Sequence, residues 1–116
     1  MKNFFTTLAT TLCLTTVLGS AHAAKFSVTG LVDDILINER SFGFCAVAIQ
    51  GWSAPGNCGA KWISLDCSGD YIDKSVARAM LETTQIAKAT ESQVTVVADD
   101  KRRHNGRCIA TQIILK

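Results

Sequence analysis

The sequence predicts a mainly β domain with a single helix (α+β), stabilised by two disulfides. Three observations support this prediction. Apolar residues alternate at period two in five segments, they recur at three-and-four spacing in one segment over residues 73–90, and four cysteines follow residue 44. Alternation is typical of half-buried strands, and the longer period is typical of an amphipathic helix. The predicted order of elements is β-β-β-α-β-β.

The first predicted strand is long and bent. Its apolar residues occupy even positions from Phe26 to Val32 and then change parity to Ile35 and Ile37. This change of face, close to Gly30 and Asp33-Asp34, indicates a glycine bend or a β-bulge. The second strand, "FGFCAVAIQ" (residues 42–50), and the third, "KWISLDC" (residues 61–67), each place apolar residues on one face.

The single helix is predicted over "DKSVARAMLETTQIAKAT", residues 73–90, with Asp70 or Asp73 as its N-cap. Its inward face is predicted to consist of five residues at helical spacing: Val76, Ala79, Met80, Thr83 and Ala87. The opposite face carries charged and amide side chains. Two more strands follow, "QVTVVAD" and "CIATQIILK", joined through residues 99–107.

The first 23 residues have the pattern of a secretory signal peptide. A positive start at Lys2 precedes the apolar run "FFTTLATTLCLTTVLG" and an A-x-A cleavage site at Ala21-His22-Ala23. That run is too short and too rich in threonine to span a bilayer, and no later segment reaches the roughly 20 apolar residues of a membrane helix. We predict a signal peptide over residues 1–23 and one exported domain over residues 24–116, periplasmic or secreted, without membrane insertion.

The charge of the exported part is balanced. Without Lys2 the chain has 11 Lys and Arg residues against 10 Asp and Glu residues, a net charge of +1. A general affinity for nucleic acid would need a surface of one sign, so we predict no nucleic-acid partner. The length allows one domain with one small core, of a kind that commonly needs covalent support.

Four cysteines remain after removal of the signal peptide: Cys45, Cys58, Cys67 and Cys108. An even number in a short exported domain predicts two disulfides. The alternative, free thiols or a metal site, is disfavoured because there is no C-x-x-C pair and His104 is the one histidine after the signal peptide. We therefore expect no metal and no cofactor.

The stretch "DDKRRHNGRC", residues 99–108, is the most polar part of the chain. Asn105-Gly106 is a strong turn signal, so a solvated hairpin tip is the first interpretation. A second is a contact surface for an anion, glycan or protein, formed by Arg102, Arg103, His104, Asn105 and Arg107. A third is a hydrolase site in which Asp99 or Asp100 orients His104 as general acid or base, but no G-x-S-x-G elbow supplies a nucleophile. We predict a turn that also binds, and no enzyme.

Trp52 and Trp62 are the other candidate ligand-binding residues. Trp52 lies in the loop that holds Pro55, and Trp62 lies opposite the apolar face of the third strand. Exposed tryptophans offer flat apolar area for stacking on sugars or anchoring a protein. The alternative is that both residues close the end of a small barrel.

The order of elements, with a long bent first strand and a helix between the third and fourth strands, resembles the OB-fold, a five-stranded Greek-key barrel. In that fold a hairpin of the second and third strands places Cys45 opposite Cys67. The fifth strand, parallel to the third as the fold implies, brings Cys108 toward Cys58. We predict the disulfides Cys45–Cys67 and Cys58–Cys108 from the three connectivities that four cysteines allow.

Export signal, length, two disulfides and strand order also make the chain similar to the receptor-binding B subunits of bacterial toxins, which assemble as five-membered rings. This resemblance covers nearly the whole exported chain in element order but includes no sugar-contact motif, so no binding residues follow from it. It implies an exported module for a glycan or protein partner, acting as a homo-oligomer. The alternatives are the small hydrolase using His104 and a monomeric periplasmic inhibitor.

Overall fold

The computed structural model describes residues 25–53, 57–59 and 61–116, so the predicted signal peptide over residues 1–23 lies outside the described residues. The described part contains five strands, one α-helix and one short 3-10 helix. In chain order they are β1 (Lys25–Ile37), the 3-10 helix (Phe42–Phe44), β2 (Cys45–Ile49), β3 (Ile63–Ser64), α1 (Lys74–Thr90), β4 (Gln93–His104) and β5 (Arg107–Leu115). The predicted mainly β class with one helix is confirmed, and the order differs from the prediction by the 3-10 helix.

The five strands close into a ring in the order β1-β2-β3-β5-β4. The first half of β1 pairs antiparallel with β4, and its second half pairs antiparallel with β2. Its register shifts between Val32 and Asp34, which confirms the predicted bend. β3 closes the ring by pairing parallel to β5, with Ser64 beside Ile109.

Both predicted disulfides are present. Cys45 pairs with Cys67 at a Cα–Cα distance of 5.6 Å, and Cys58 pairs with Cys108 at 4.8 Å. The second bridge follows from the parallel pairing of β3 with β5, because that pairing places the start of β5 beside the loop that precedes β3. Two disulfides are consistent with an oxidising compartment.

Two strands are shorter than predicted. β2 begins at Cys45 rather than residue 42, because φ is 56° at Phe42, 66° at Gly43 and 74° at Phe44. β3 is limited to Ile63–Ser64 because Lys61 and Asp66, on either side of it, have φ values of 73° and 58°. Such left-handed backbone cannot continue a strand, and alternation of side chains does not report it.

The last hairpin, by contrast, contains more strand than predicted. β4 continues to His104 and β5 begins at Arg107, so that Asn105 and Gly106 alone form the turn, with φ values of 49° and 75°. The register shifts between Asp99 and Arg103, and residues 100–102 bulge from the ladder. The polar segment that was predicted as a loop is therefore mostly a bulged β-ribbon.

The helix begins after its N-cap Asp73, whose carboxylate accepts a hydrogen bond from the Ser75 amide at 2.8 Å. Of the predicted inward face, Met80 and Ala87 are buried and Thr83 is half-buried, whereas Ala79 and Val76, the latter 47% exposed, face the solvent. Ala77 and Thr84 are buried in their place. The buried face thus has Met80 and Thr84 at its centre and the small residues Ala77 and Ala87 at its two ends. No helix in the described part of the chain is long and apolar enough to cross a membrane.

The core fills the ring and the space under the helix. It is built mainly from β-branched and small residues, as expected for strands that bury one or both faces. Its fully buried members include Val47, Ile63, Leu65, Ala77, Val94, Val96, Ala98 and Ala110.

Candidate functional site

His104, the last residue of β4, contacts Asp66 in the segment after β3. His104 Nε2 lies 2.6 Å from Asp66 Oδ1, and the Asp66 side chain is completely buried. The sequence-based hypothesis named Asp99 or Asp100 for this position, and the contact with Asp66 corrects it. Asp99 accepts a hydrogen bond from the Lys101 amide. The reason for the difference is topological, since the pairing of β3 with β5 brings the segment after β3 beside the last hairpin.

The Asp66 carboxylate organises the segment between β3 and α1. It accepts hydrogen bonds from the Tyr71 amide at 2.8 Å, the Ile72 amide at 2.7 Å and the Ser68 hydroxyl at 3.2 Å. Burial is the largest single influence on its pKa and raises it. The hydrogen bonds from His104 and these other donors together outweigh burial, so the pKa of Asp66 lies below its ordinary value of 3.8.

This lowered pKa fixes the direction of the hydrogen bond between the two side chains. Asp66 is ionised at neutral pH and offers acceptor atoms only. His104 Nε2 must therefore carry a hydrogen and donate it to Asp66. The Tyr71 ring lies beside His104 in a tilted arrangement, with 5.1 Å between ring centres.

The 3-10 helix Phe42–Phe44 is strained and is held in place by the same region. Three positive φ values in succession are rare. For Phe42 and Phe44, which are not glycine, this conformation costs of order 1–3 kcal/mol of folding free energy each. The Ser64 hydroxyl donates to the Phe42 carbonyl at 2.7 Å, and the Ser68 amide donates to the Gly43 carbonyl at 2.9 Å.

Gly43 packs directly against the histidine. A Cβ atom at Gly43 would lie 2.6 Å from His104 Cδ2 and 2.8 Å from Ser64 Oγ, closer than any real Cβ contact. Next to this packed glycine, the Phe44 side chain is 47% exposed. A bulky aromatic residue displayed from a strained, pinned turn is the kind of outlier that points to function.

A shallow cleft of about 200 Å³ separates this turn from the last hairpin. Three segments form it, namely residues 40–44, 68–70 and 104–105, and we call it the loop cleft. Its side chains combine aromatic rings with hydrogen-bonding groups: Arg40, Phe42, Phe44, Asp70, His104 and Asn105. The cleft thus brings apolar area and convergent polar groups together, the two kinds of group that contact ligands in binding sites.

The predicted basic residues of the hairpin are mostly engaged within the protein. The Arg102 guanidinium lies 5.4 Å from the centre of the Tyr71 ring, and Arg103 Nη1 donates to the Asn57 carbonyl at 2.7 Å. The Arg107 guanidinium lies 5.5 Å from the Phe42 ring centre. These arginines therefore connect the hairpin to three other segments of the chain, while His104 and Asn105 line the loop cleft.

The two predicted tryptophans lie elsewhere. Trp52 is half-buried and stacks on Phe26, with 5.7 Å between ring centres and 17° between ring planes. Trp62 is half-buried beside Lys61, whose Nζ atom lies 4.8 Å from the ring centre. Pro55, the other landmark of the Trp52 loop, lies outside the described residues. Within the described part of the chain, neither tryptophan lines the loop cleft.

Sequence reasoning missed Phe42, Phe44, Asp66 and Asp70. A glycine between two phenylalanines, directly before a buried strand, is the one local signal that could have marked the turn. No local pattern marks Asp66, because its main partner is 38 residues away in the sequence.

Asp66, Asp70 and His104 are the residues that come nearest to a metal-ligand set in the described part of the chain. Their ligand atoms all lie within 4.8 Å of one another. However, His104 Nε2 already donates to Asp66, and the Asp66 carboxylate accepts hydrogen bonds from backbone amides and Ser68. These atoms are occupied by hydrogen bonds within the protein, so the cluster is better explained as a structural network.

Comparison of the chain with protein-family models, with curated proteins and with solved structures finds no match. The site is therefore interpreted from its own geometry.

Proposed function

We propose that this protein is an exported, non-enzymatic binding module that recognises a glycan at the loop cleft. The observation that carries the proposal is the pinned Phe42–Phe44 turn, which displays Phe44 beside the polar side chains of the cleft. The protein accepts a strained backbone here and supports it with a buried His104–Asp66 pair. Strain maintained in this way is common at ligand sites.

The chemistry of the cleft favours a sugar over other small ligands. A sugar ring has an apolar face, which suits the exposed ring of Phe44, and hydroxyl groups, which are both donors and acceptors. The Asp70 carboxylate accepts hydrogen bonds, the Arg40 guanidinium donates them, and the Asn105 amide does both. Because the cleft contains both a cation and an anion, it favours a ligand that forms many hydrogen bonds over a ligand that carries a net charge.

The fold supports the same location. A closed five-stranded ring with a bent first strand and a helix between β3 and β4 supports assignment to the OB-fold. The β1–β2 and β4–β5 loops of that fold are its usual binding loops for oligonucleotides and oligosaccharides. Here those loops supply Phe44 and Asn105. Similarity to the toxin B subunits agrees with a glycan partner, but fold analogy alone does not establish function.

We infer binding rather than hydrolysis from the hydroxyl groups around His104. A catalytic histidine held by an aspartate activates either a side-chain hydroxyl or a water molecule through its other nitrogen, and the described hydroxyl groups bear on the first of these. The Ser64 hydroxyl donates to the Phe42 carbonyl, and the Ser68 hydroxyl donates to Asp66 and Asp70. Among the described residues, both nearby serines are thus committed to backbone or carboxylate partners.

The test is a glycan-array screen of the oxidised protein purified from the periplasm, followed by titration of the strongest glycan. An Asn105→Gly variant keeps the left-handed turn and removes one cleft side chain, so it should fold normally and bind roughly tenfold more weakly. Ile86→Ala, which shortens an exposed side chain on the helix outside the loop cleft, serves as the control and should bind like the wild type.

Two results would overturn the proposal. One is the absence of any bound glycan together with capture of a defined periplasmic protein, which would favour the inhibitor alternative. The other is glycan binding that Asn105→Gly and Ile86→Ala affect equally, which would place the sugar away from the loop cleft. Native mass spectrometry of the same sample reports whether the binding species is a monomer or a homo-oligomer.

A further inference from the structure

A second concave surface lies between the first two turns of α1 and the junction of β1 with β2. It has a volume of about 240 Å³, and its walls are mainly apolar. Ile37, Phe44, Leu81 and the Cys45–Cys67 disulfide form these walls, and the basic residues Lys74 and Arg78 complete the lining. We call this surface the helix groove.

The apolar wall of the helix groove is unusually exposed. Ile37 is 65% exposed and Phe44 is 47% exposed, although Cys45, which pairs with Ile37 and follows Phe44 in the chain, is almost completely buried. Contiguous exposed apolar area of this kind marks an interaction site more often than single exposed residues do. Covering these side chains would remove apolar surface from water and would favour a bound apolar group.

The basic residues of the helix groove are not neutralised within the protein. Lys74 and Arg78 lie four residues apart, on the same face of α1 and one turn from each other. Within residues 25–53, 57–59 and 61–116 neither has an ion-pair partner, whereas Lys61 forms an ion pair with Asp34 at 2.8 Å. Two like charges one turn apart repel each other, so an anion between them would be favoured.

We propose that the helix groove binds a long-chain carboxylate of the fatty-acid type. Its alkyl chain would lie along Ile37, Phe44 and Leu81, and its carboxylate would lie between Lys74 and Arg78. An alkyl chain fits better than a peptide, because the aliphatic, aromatic and disulfide walls offer a peptide backbone few hydrogen-bond partners. This site is distinct from the loop cleft, although Phe44 borders both.

The first experiment is a nuclear magnetic resonance titration of the oxidised protein with dodecanoate below its micelle concentration. We expect saturable shifts of the amide signals of Ile37, Leu81 and Arg78. Dodecyltrimethylammonium, which has the same chain and the opposite charge, should bind much more weakly, and so should acetate, which has the charge without the chain. Equal binding of the two amphiphiles, or no saturable binding of dodecanoate, would overturn the proposal.

A pair of double variants tests the role of the two cations. Lys74→Gln with Arg78→Gln should weaken dodecanoate binding by roughly tenfold. Lys25→Gln with Lys116→Gln makes the same change in net charge at exposed positions outside the groove and should leave binding unchanged. All four side chains are exposed, so the folds should be preserved. Equal affinities of the two double variants for dodecanoate would refute the assigned contact, and retention of glycan binding by both would show that the two sites are separate.

Discussion

His104 Nε2 lies 2.6 Å from Asp66 Oδ1, and this contact joins residues 38 positions apart in the sequence. Around it are gathered the end of β4, the segment between β3 and α1, and the strained Phe42–Phe44 turn, because Gly43 packs on the histidine ring. The buried pair thus supports the surface from which Phe44 is displayed. Four predictions follow from this arrangement and from the disulfides, and a fifth tests the proposed function.

Asp66→Asn should reduce the free energy of unfolding by about 3 kcal/mol. The amide that replaces the carboxylate removes the charge and one acceptor from a site where the Ser68 hydroxyl, three backbone amides (of residues 70, 71 and 72) and His104 converge. Urea denaturation of the oxidised protein measures the change. Asp70→Asn is the matched control, because that side chain is 58% exposed, and it should stay within about 0.5 kcal/mol of the wild type. Equal effects of the two substitutions would contradict the structural role of Asp66.

Stability should fall in acid through protonation of Asp66. Its pKa in the folded protein lies below the ordinary 3.8, because hydrogen bonds to the ionised form outweigh the opposing effect of burial. The unfolded chain therefore binds more protons than the folded protein near this pH, and stability rises with pH. The contribution of Asp66 to stability is fully present above about pH 4 and is lost as the pH falls through the pKa of Asp66 in the folded protein.

Thermal melts between pH 2 and pH 6, a range that brackets the ordinary carboxyl values near 4, measure this dependence. In Asp66→Asn the melting temperature should depend less steeply on pH. Some dependence should remain, because hydrogen bonds from Ser75 also lower the pKa of Asp73. A variant curve that falls as steeply as the wild-type curve would mean that another group is responsible for acid sensitivity.

Gly43→Ala should destabilise the protein more than a comparable substitution in open space. Both Gly43 and Gly51 have positive φ, 66° and 71°, but a Cβ at Gly43 would meet His104 and Ser64, whereas none of the described atoms lies within 4 Å of one at Gly51. We expect losses of about 3 kcal/mol at Gly43 and about 1 kcal/mol at Gly51. The difference separates the contacts with His104 and Ser64 from the backbone strain, and equal losses would show that these contacts have no energetic role.

Removal of the Cys58–Cys108 disulfide should cost more stability than removal of Cys45–Cys67. The bridges close segments with sequence separations of 50 and 22 residues, which correspond to about 4 and about 3 kcal/mol of loop-closure entropy. Paired Cys→Ser variants and urea denaturation provide the comparison. A reversed order would indicate that contacts in the folded state, rather than entropy of the unfolded chain, decide the contribution of each bridge.

The sequence predicted the elements that depend on the spacing of apolar residues, and it predicted the pairing of the cysteines. The bend in β1, the helix with its Asp73 cap, the Asn105-Gly106 turn and both disulfide pairings are confirmed. Each of these depends on local residue preference, except the disulfides, which depend on the relative order of strands.

The errors occurred where backbone conformation departs from alternation. Positive φ at Phe42, Phe44, Lys61 and Asp66 ends β2 and β3 early. Phe and Lys rarely adopt this conformation, and Asp, although it does so more often, does not mark it by its presence alone. The loop cleft was not predicted, because its residues are far apart in the sequence. Only the fold shows that the turn before β2 and the segment after β3 meet at His104. Trp52 was predicted as a ligand-binding residue from its residue type, but one face of its ring stacks on Phe26.

A comparison of Phe44→Ala with Trp62→Ala shows whether Phe44, rather than a tryptophan, contacts the glycan. Affinity of each variant for the strongest glycan from the array is the quantity to measure. We predict that Phe44→Ala weakens binding by roughly tenfold or more and that Trp62→Ala leaves it within about twofold of the wild type. Unchanged affinity of Phe44→Ala together with a large loss of affinity in Trp62→Ala would show that Phe44 does not contact the glycan and that the glycan binds near Trp62, at the loop before β3.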